Sequence, residues 1–165
     1  MLEKLHNENN SGKLLFQVLK NTIDMREELV RKDFMKMITE AGKRNEYKTI
    51  KINLGRQAGH TTAAVELLRE YKNALMIVIK QDNVHHAAAL LDRAIASHIS
   101  THELSKHIVT TSQLFSKVNV GKHMLERTGG INPDIVILDC ATYANVSESA
   151  LWETFPDMQY LVMLG

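Results

Sequence analysis

One segment restricts this chain more than any other: the glycine-containing turn Gly55-Arg56-Gln57-Ala58-Gly59-His60-Thr61-Thr62, set between a strand-like and a helix-like stretch. Before it, Tyr47 to Leu54 alternates in the manner of a strand. After it, Thr62 to Lys72 places Ala63, Val65, Leu67, Leu68 and Tyr71 at helical spacing. Gly55 and Gly59 let the backbone turn tightly and approach a ligand. Successive amides in such a turn, followed by a helix N-terminus, attract an anion. The same residues also suit an ordinary strand-to-helix turn in which glycine and threonine serve only backbone geometry and capping.

The rest of the chain supplies more elements of the same two kinds. An apolar pattern at three- and four-residue spacing begins near Ser11 and continues to Ala41 through Leu14, Leu15, Val18, Leu19, Ile23, Leu29, Val30, Phe34, Met37 and Ile38. It predicts one or two amphipathic helices that stop at Gly42-Lys43-Arg44-Asn45. Ala74 to Ile79 is a continuous apolar run, as expected of a strand covered on both faces. A helix is predicted over Asn83 to Ser97, a short strand over His107 to Thr110, and a helix ending at Arg127. A strand over Asp134 to Leu138 ends in Asp139, followed by a helix over Ser147 to Thr154 and a strand over Gln159 to Leu164. Strands alternating with helices predict a parallel sheet covered on both faces. At 165 residues and 44% hydrophobic content the expectation is one domain, with residues 1–45 as a helical segment and 46–165 as an α/β core.

Composition excludes several functions. Twenty basic residues against nineteen acidic ones leave no overall field toward nucleic acid or anionic lipid. Met1 to Asn10 lacks an apolar signal-peptide core, and no apolar run approaches a membrane span, so a soluble, cytoplasmic protein is expected. The single cysteine, Cys140, excludes an internal disulfide and reads as a small buried apolar residue.

A strand, a glycine turn and a helix opening Thr-Thr are the context of a P-loop. Thr61 stands where a hydroxyl would bind magnesium, and Thr62 where it would cap or pack the helix. Ile135-Val136-Ile137-Leu138-Asp139 has the form of the apolar strand whose terminal acid holds magnesium in nucleotide hydrolases. On these two motifs the chain, from about Tyr47 to Gly165, resembles the ATPase core of phage terminase large subunits and related helicase-like motors. The resemblance implies a three-layer, RecA-like P-loop core that binds ATP or another nucleotide with magnesium. It implies Arg56 on the terminal phosphate, Gln57 near the nucleotide, and Asp139 on the metal. It also implies a setting in viral DNA packaging or metabolism, and so host cytoplasm.

Two departures limit the implied activity. The family's phosphate-binding lysine is His60 here, which is shorter and only partly protonated at neutral pH. Its water-activating glutamate is Cys140. The expected protein is therefore a degenerate nucleotide binder with weak or no hydrolysis. A second expectation is a non-enzymatic interaction protein that uses the fold as a scaffold for a protein partner, a second copy of itself, or nucleic acid. Lys117, Lys122, His123 and Arg127 form a basic cluster that suits either phosphate contacts or a solvated face. His98 and His102 have a spacing that suits a metal pair or exposed polar residues, and no third ligand lies near in sequence.

Overall fold

A computed structural model describes residues 2–30, 39, 42–55, 58–92, 106–115, 126 and 128–165. In chain order the elements are helix α1 (Leu2–Val30), helix α2 (Arg44–Lys48), strand β1 (Thr49–Ile52) and helix α3 (His60–Glu70). Strand β2 (Ala74–Val78), helix α4 (Gln81–Asp92), strand β3 (Ile108–Thr110) and helix α5 (Thr111–Phe115) follow. Strand β4 (Ile135–Asp139), helix α6 (Glu148–Thr154) and strand β5 (Tyr160–Leu164) complete the fold. The five strands form one sheet in the order β1-β5-β4-β2-β3, and every pairing is parallel.

Burial explains why the two middle strands read as unbroken apolar runs. All five positions of β2 and of β4 are buried, because each face of the sheet is covered. Alternate residues serve different cores. Ala74, Met76, Val78, Ile135 and Ile137 pack with Leu15, Leu19 and Ile23 of α1 and with Ala64, Leu67 and Leu68 of α3. Leu75, Ile77, Val136 and Leu138 pack on the other side with Leu114 of α5, with Leu151 and Trp152 of α6, and with Phe155 and Met158. The α/β architecture predicted from sequence is thus observed, with helices on both faces of a parallel sheet.

Several elements differ from the sequence reading. α1 begins at Leu2 instead of near Ser11, since no proline interrupts the polar residues before Gly12. Its apolar pattern divides: Leu15, Leu19 and Ile23 are buried, whereas Leu14 and Val18 are exposed. Neighbouring residues on a helix lie about 100° apart, so a pattern that includes both Leu14 and Leu15 spans two faces. The strand expected over Tyr47 to Leu54 is shorter, because Arg44–Lys48 forms a helical turn and Asn53 and Leu54 leave the edge of the sheet exposed. Thr111–Phe115 forms a short helix directly after β3, for which the sequence reading made no assignment. Phe34, Met37, Ile38 and Ala41, the end of the helix predicted to Ser97, and the helix predicted to end at Arg127 lie outside the described residues.

The connections position the site. From β1 the chain crosses one face through α3 to β2, then through α4 to β3. It returns to β4 and crosses the opposite face through α6 to β5, which inserts between β1 and β4. The crevice outside the carboxyl ends of strands, where connections diverge to opposite faces, is where open α/β sheets bind ligands.

Candidate functional site

A cavity of about 520 Å³ opens at that crevice, walled by Gly55 and Ala58 to Thr62 after β1, Asp139, Cys140, Thr142 and Tyr143 after β4, and Asn53, His86 and Gly165. Gly55 and Gly59 both have left-handed backbone, with φ of 78° and 80°, the conformation that favours glycine. Gly59 is the N-cap of α3, and its carbonyl accepts from the Ala63 amide at 2.9 Å. No side chain caps this helix and its first turn holds no acid. The amides of His60, Thr61 and Thr62 are those that an α-helix leaves without an internal partner. The positive end of an 11-residue helix therefore faces the cavity with no acid of its own first turn to offset it.

Asp139 is the opposing charge. It is 2% exposed at the end of β4, where register pairs it with Leu164. Its Oδ2 accepts from Thr61 Oγ1 at 2.8 Å and its Oδ1 from the Cys140 amide at 3.0 Å. Burial pushes this carboxyl above its ordinary value, while the Thr61 hydroxyl and the Cys140 amide pull it back. Thr61 and Asp139 are the two residues that the sequence assigned to magnesium. Two adjacent ligands of an octahedral Mg²⁺ at its usual 2.0–2.1 Å are about 2.9 Å apart, so these two oxygens have the spacing and the hard-oxygen chemistry that the ion requires. Among the described residues no group of three or more His, Cys, Asp or Glu side chains gathers at one point. A cation here would take its remaining ligands from water and a bound phosphate.

His60 stands in the first turn of α3 with Nε2 buried and without a hydrogen-bond partner. Burial pushes its imidazole below its ordinary value, against the pull of Asp139, so the side chain is neutral near pH 7. A buried ring nitrogen without a partner is costly. Cys140 departs from the sequence reading. It is half-buried in the cavity wall and holds a positive φ of 59°, a strained conformation for a non-glycine residue. Burial and the Asp139 charge push its thiol above the ordinary range.

The structure thus brings together Gly55, Ala58, Gly59, His60, Thr61, Thr62 and Asp139. Arg56, Gln57, Lys117, Lys122, His123 and Arg127 lie outside the described residues, as do His98 and His102. Asn53, His86, Thr142 and Tyr143 line the cavity without having been singled out. Asn53 carried a weak signal, since an asparagine two residues before a glycine suits a turn closed by its side chain. Its Oδ1 accepts from the Gly55 amide at 3.1 Å. Thr142 and Tyr143 reach the site only because β4 and β1 end at the same level. No protein family, curated protein or solved structure matches this chain.

Proposed function

We propose that the cavity binds a nucleoside di- or triphosphate with magnesium. In this reading the first-turn amides of α3 lie on phosphate, and Thr61 and Asp139 hold the ion. The magnesium neutralises the phosphate charge and fixes its orientation; the chain contributes the oxygens and the helix end. The observation that carries this reading is the 2.8 Å contact between Thr61 and Asp139, 78 residues apart, in the wall of a cavity that also contains the open helix N-terminus. Hydrolysis is slow or absent, because a neutral His60 supplies no cation to developing phosphate charge and a protonated Cys140 is no base for water. A role in viral DNA packaging or metabolism follows only from the resemblance of the turn to terminase-like motors.

Calorimetric titration with ATP tests the reading. Binding is expected with Mg²⁺ present, to be abolished by EDTA, and to weaken by about tenfold in Thr61→Ala. Absence of heat at millimolar Mg·ATP sinks it. A second reading, a scaffold for a protein partner, is favoured by Leu14, Val18 and Met25, which stand 69%, 48% and 59% exposed along one side of α1. Concentration-dependent sedimentation that is lost in Val18→Glu would support it.

A further inference from the structure

Resting on the nucleotide reading, we infer that Asn53 is a positioning residue for the site. Its side chain sets the phosphate turn after β1 against the cation turn after β4, and the absence of a side chain at Gly165 leaves room for it to do so. The two halves of the proposed site come from strands that do not touch. Phosphate contacts belong to the turn that follows β1 and Asp139 ends β4, with β5 between the two in the sheet. Neighbouring strands lie about 4.8 Å apart, so the two turns start roughly 10 Å from one another. A magnesium ion shared by Asp139 and a phosphate demands near-ideal octahedral geometry, which makes the separation of the turns part of the site.

The contact between Thr61 and Asp139 closes this gap at the proposed ligands themselves. Asn53, one residue beyond β1, closes it at a second place. Its Oδ1 accepts from the Gly55 amide at 3.1 Å and its Nδ2 donates to Thr142 Oγ1 at 3.4 Å. One side chain thus holds both the first residue of the glycine turn and a residue of the turn that Asp139 begins. The path between them crosses the end of β5. There the Gly165 amide donates to the Ile52 carbonyl at 2.9 Å and the Ala141 amide to the Leu164 carbonyl at 2.7 Å, so the backbone holds Gly165 between the two turns. A Cβ on Gly165 would fall 2.3 Å from Thr142 Oγ1, the atom that accepts from Asn53. Asn53, Thr142 and Gly165 all line the cavity. Asn53 and Thr142 are exposed, so the bond between them contributes little to folding.

The test measures the affinity of the whole chain for Mg·tripolyphosphate and Mg·ATP, together with the urea midpoint in the absence of ligand. The proteins are the natural sequence, Asn53→Ala, Thr142→Val, Thr142→Ser, Gly165→Ala and the double variant Asn53→Ala/Thr142→Val. Thr142→Val removes the acceptor hydroxyl and Gly165→Ala displaces it, so each should weaken both ligands about fivefold with the midpoint unchanged. Thr142→Ser keeps the hydroxyl and should bind as the natural chain does. Asn53→Ala also frees the Gly55 amide and should weaken both ligands by about fivefold or more. Adding Thr142→Val to it should cause no further loss, because the two residues act through one bond. Losses that multiply in the double variant would overturn the inference, since each residue would then touch the ligand on its own. A loss confined to ATP would overturn it too, by placing Asn53 on the nucleoside instead of between the turns, as would losses that merely follow a fall in the midpoint. If the natural chain binds Mg·ATP and Asn53→Ala binds it equally well, this inference fails while the nucleotide reading stands. If the natural chain binds neither ligand, the nucleotide reading itself fails and takes this one with it.

Discussion

Asp139 shows at the scale of one residue how a site can cost stability. Its carboxylate is almost fully removed from water, and its two hydrogen bonds, from Thr61 and the Cys140 amide, are neutral donors and not a paired cation. A buried charge without an opposite partner is expensive, and burial dominates the other influences on this group. Asparagine has nearly the same shape, keeps an oxygen for the Cys140 amide and carries no charge. Asp139→Asn should therefore melt at a higher temperature than the natural chain in the absence of ligands, and should lose Mg²⁺-dependent nucleotide binding. Differential scanning fluorimetry with and without Mg·ATP checks both signs at once. A variant that melts lower without ligands would mean that the hydrogen bonds of the carboxylate outweigh its desolvation.

At the scale of elements, the position of the site depends on how α1 presses on α3. Gly12 is buried, and a Cβ there would fall 2.5 Å from Thr62 Cβ and 3.1 Å from the Gly59 carbonyl. In an isolated helix, Gly→Ala stabilises by about 1 kcal/mol. Here the clash is with atoms anchored at the backbone, not with the end of a flexible side chain, and overpacking costs about 1–3 kcal/mol. The second effect wins, so Gly12→Ala should lower the urea midpoint, and Gly12→Val should lower it further. A higher midpoint for Gly12→Ala would show that α1 does not touch the turn of α3. This contact illustrates what sequence can and cannot carry. The buried runs of β2 and β4 and the glycine turn were legible, because burial on two faces and positive φ each leave a local mark. Thr61 and Asp139 were legible as separate motifs, and their contact required the sheet order. Which side of α1 faces inward was not legible, since Leu14 and Leu15 are equally apolar and only the position of α3 separates them. Cys140 read as core because nothing local announces a left-handed residue after a strand.

Across the whole molecule, the cavity and the polar ties between elements occupy opposite ends of the sheet. The carboxyl ends of the strands carry the open helix terminus, the unpartnered His60 Nε2 and the strained Cys140. The amino ends are stitched together. The Trp152 indole donates to Thr49 Oγ1 at 3.0 Å, Asn73 Nδ2 donates to Asp134 at 3.0 Å, and Arg26 donates to the Tyr47 and Thr49 carbonyls. Lys48, 5% exposed, donates to Gln159 Oε1 at 2.8 Å and lies over the Tyr160 ring. Burial pushes the Lys48 ammonium below its ordinary value, with Arg44 adding to the shift and Glu27 opposing it. The unfolded chain therefore binds this proton more tightly than the folded one. Folding is penalised while Lys48 is charged in both states, and the penalty fades as pH rises through the folded value toward the ordinary 10.5. Lys48→Met keeps the apolar stem against Tyr160 and removes the charge. It should be more stable than the natural chain at pH 7, with the advantage shrinking as pH approaches 10.5, while Mg·ATP affinity stays within about twofold. Taking the difference between the two proteins in urea at each pH cancels every other titrating group. A loss above about 1 kcal/mol at pH 7 would show that the bond to Gln159 exceeds the desolvation it offsets. A large change in affinity would show instead that the two ends of the sheet are coupled.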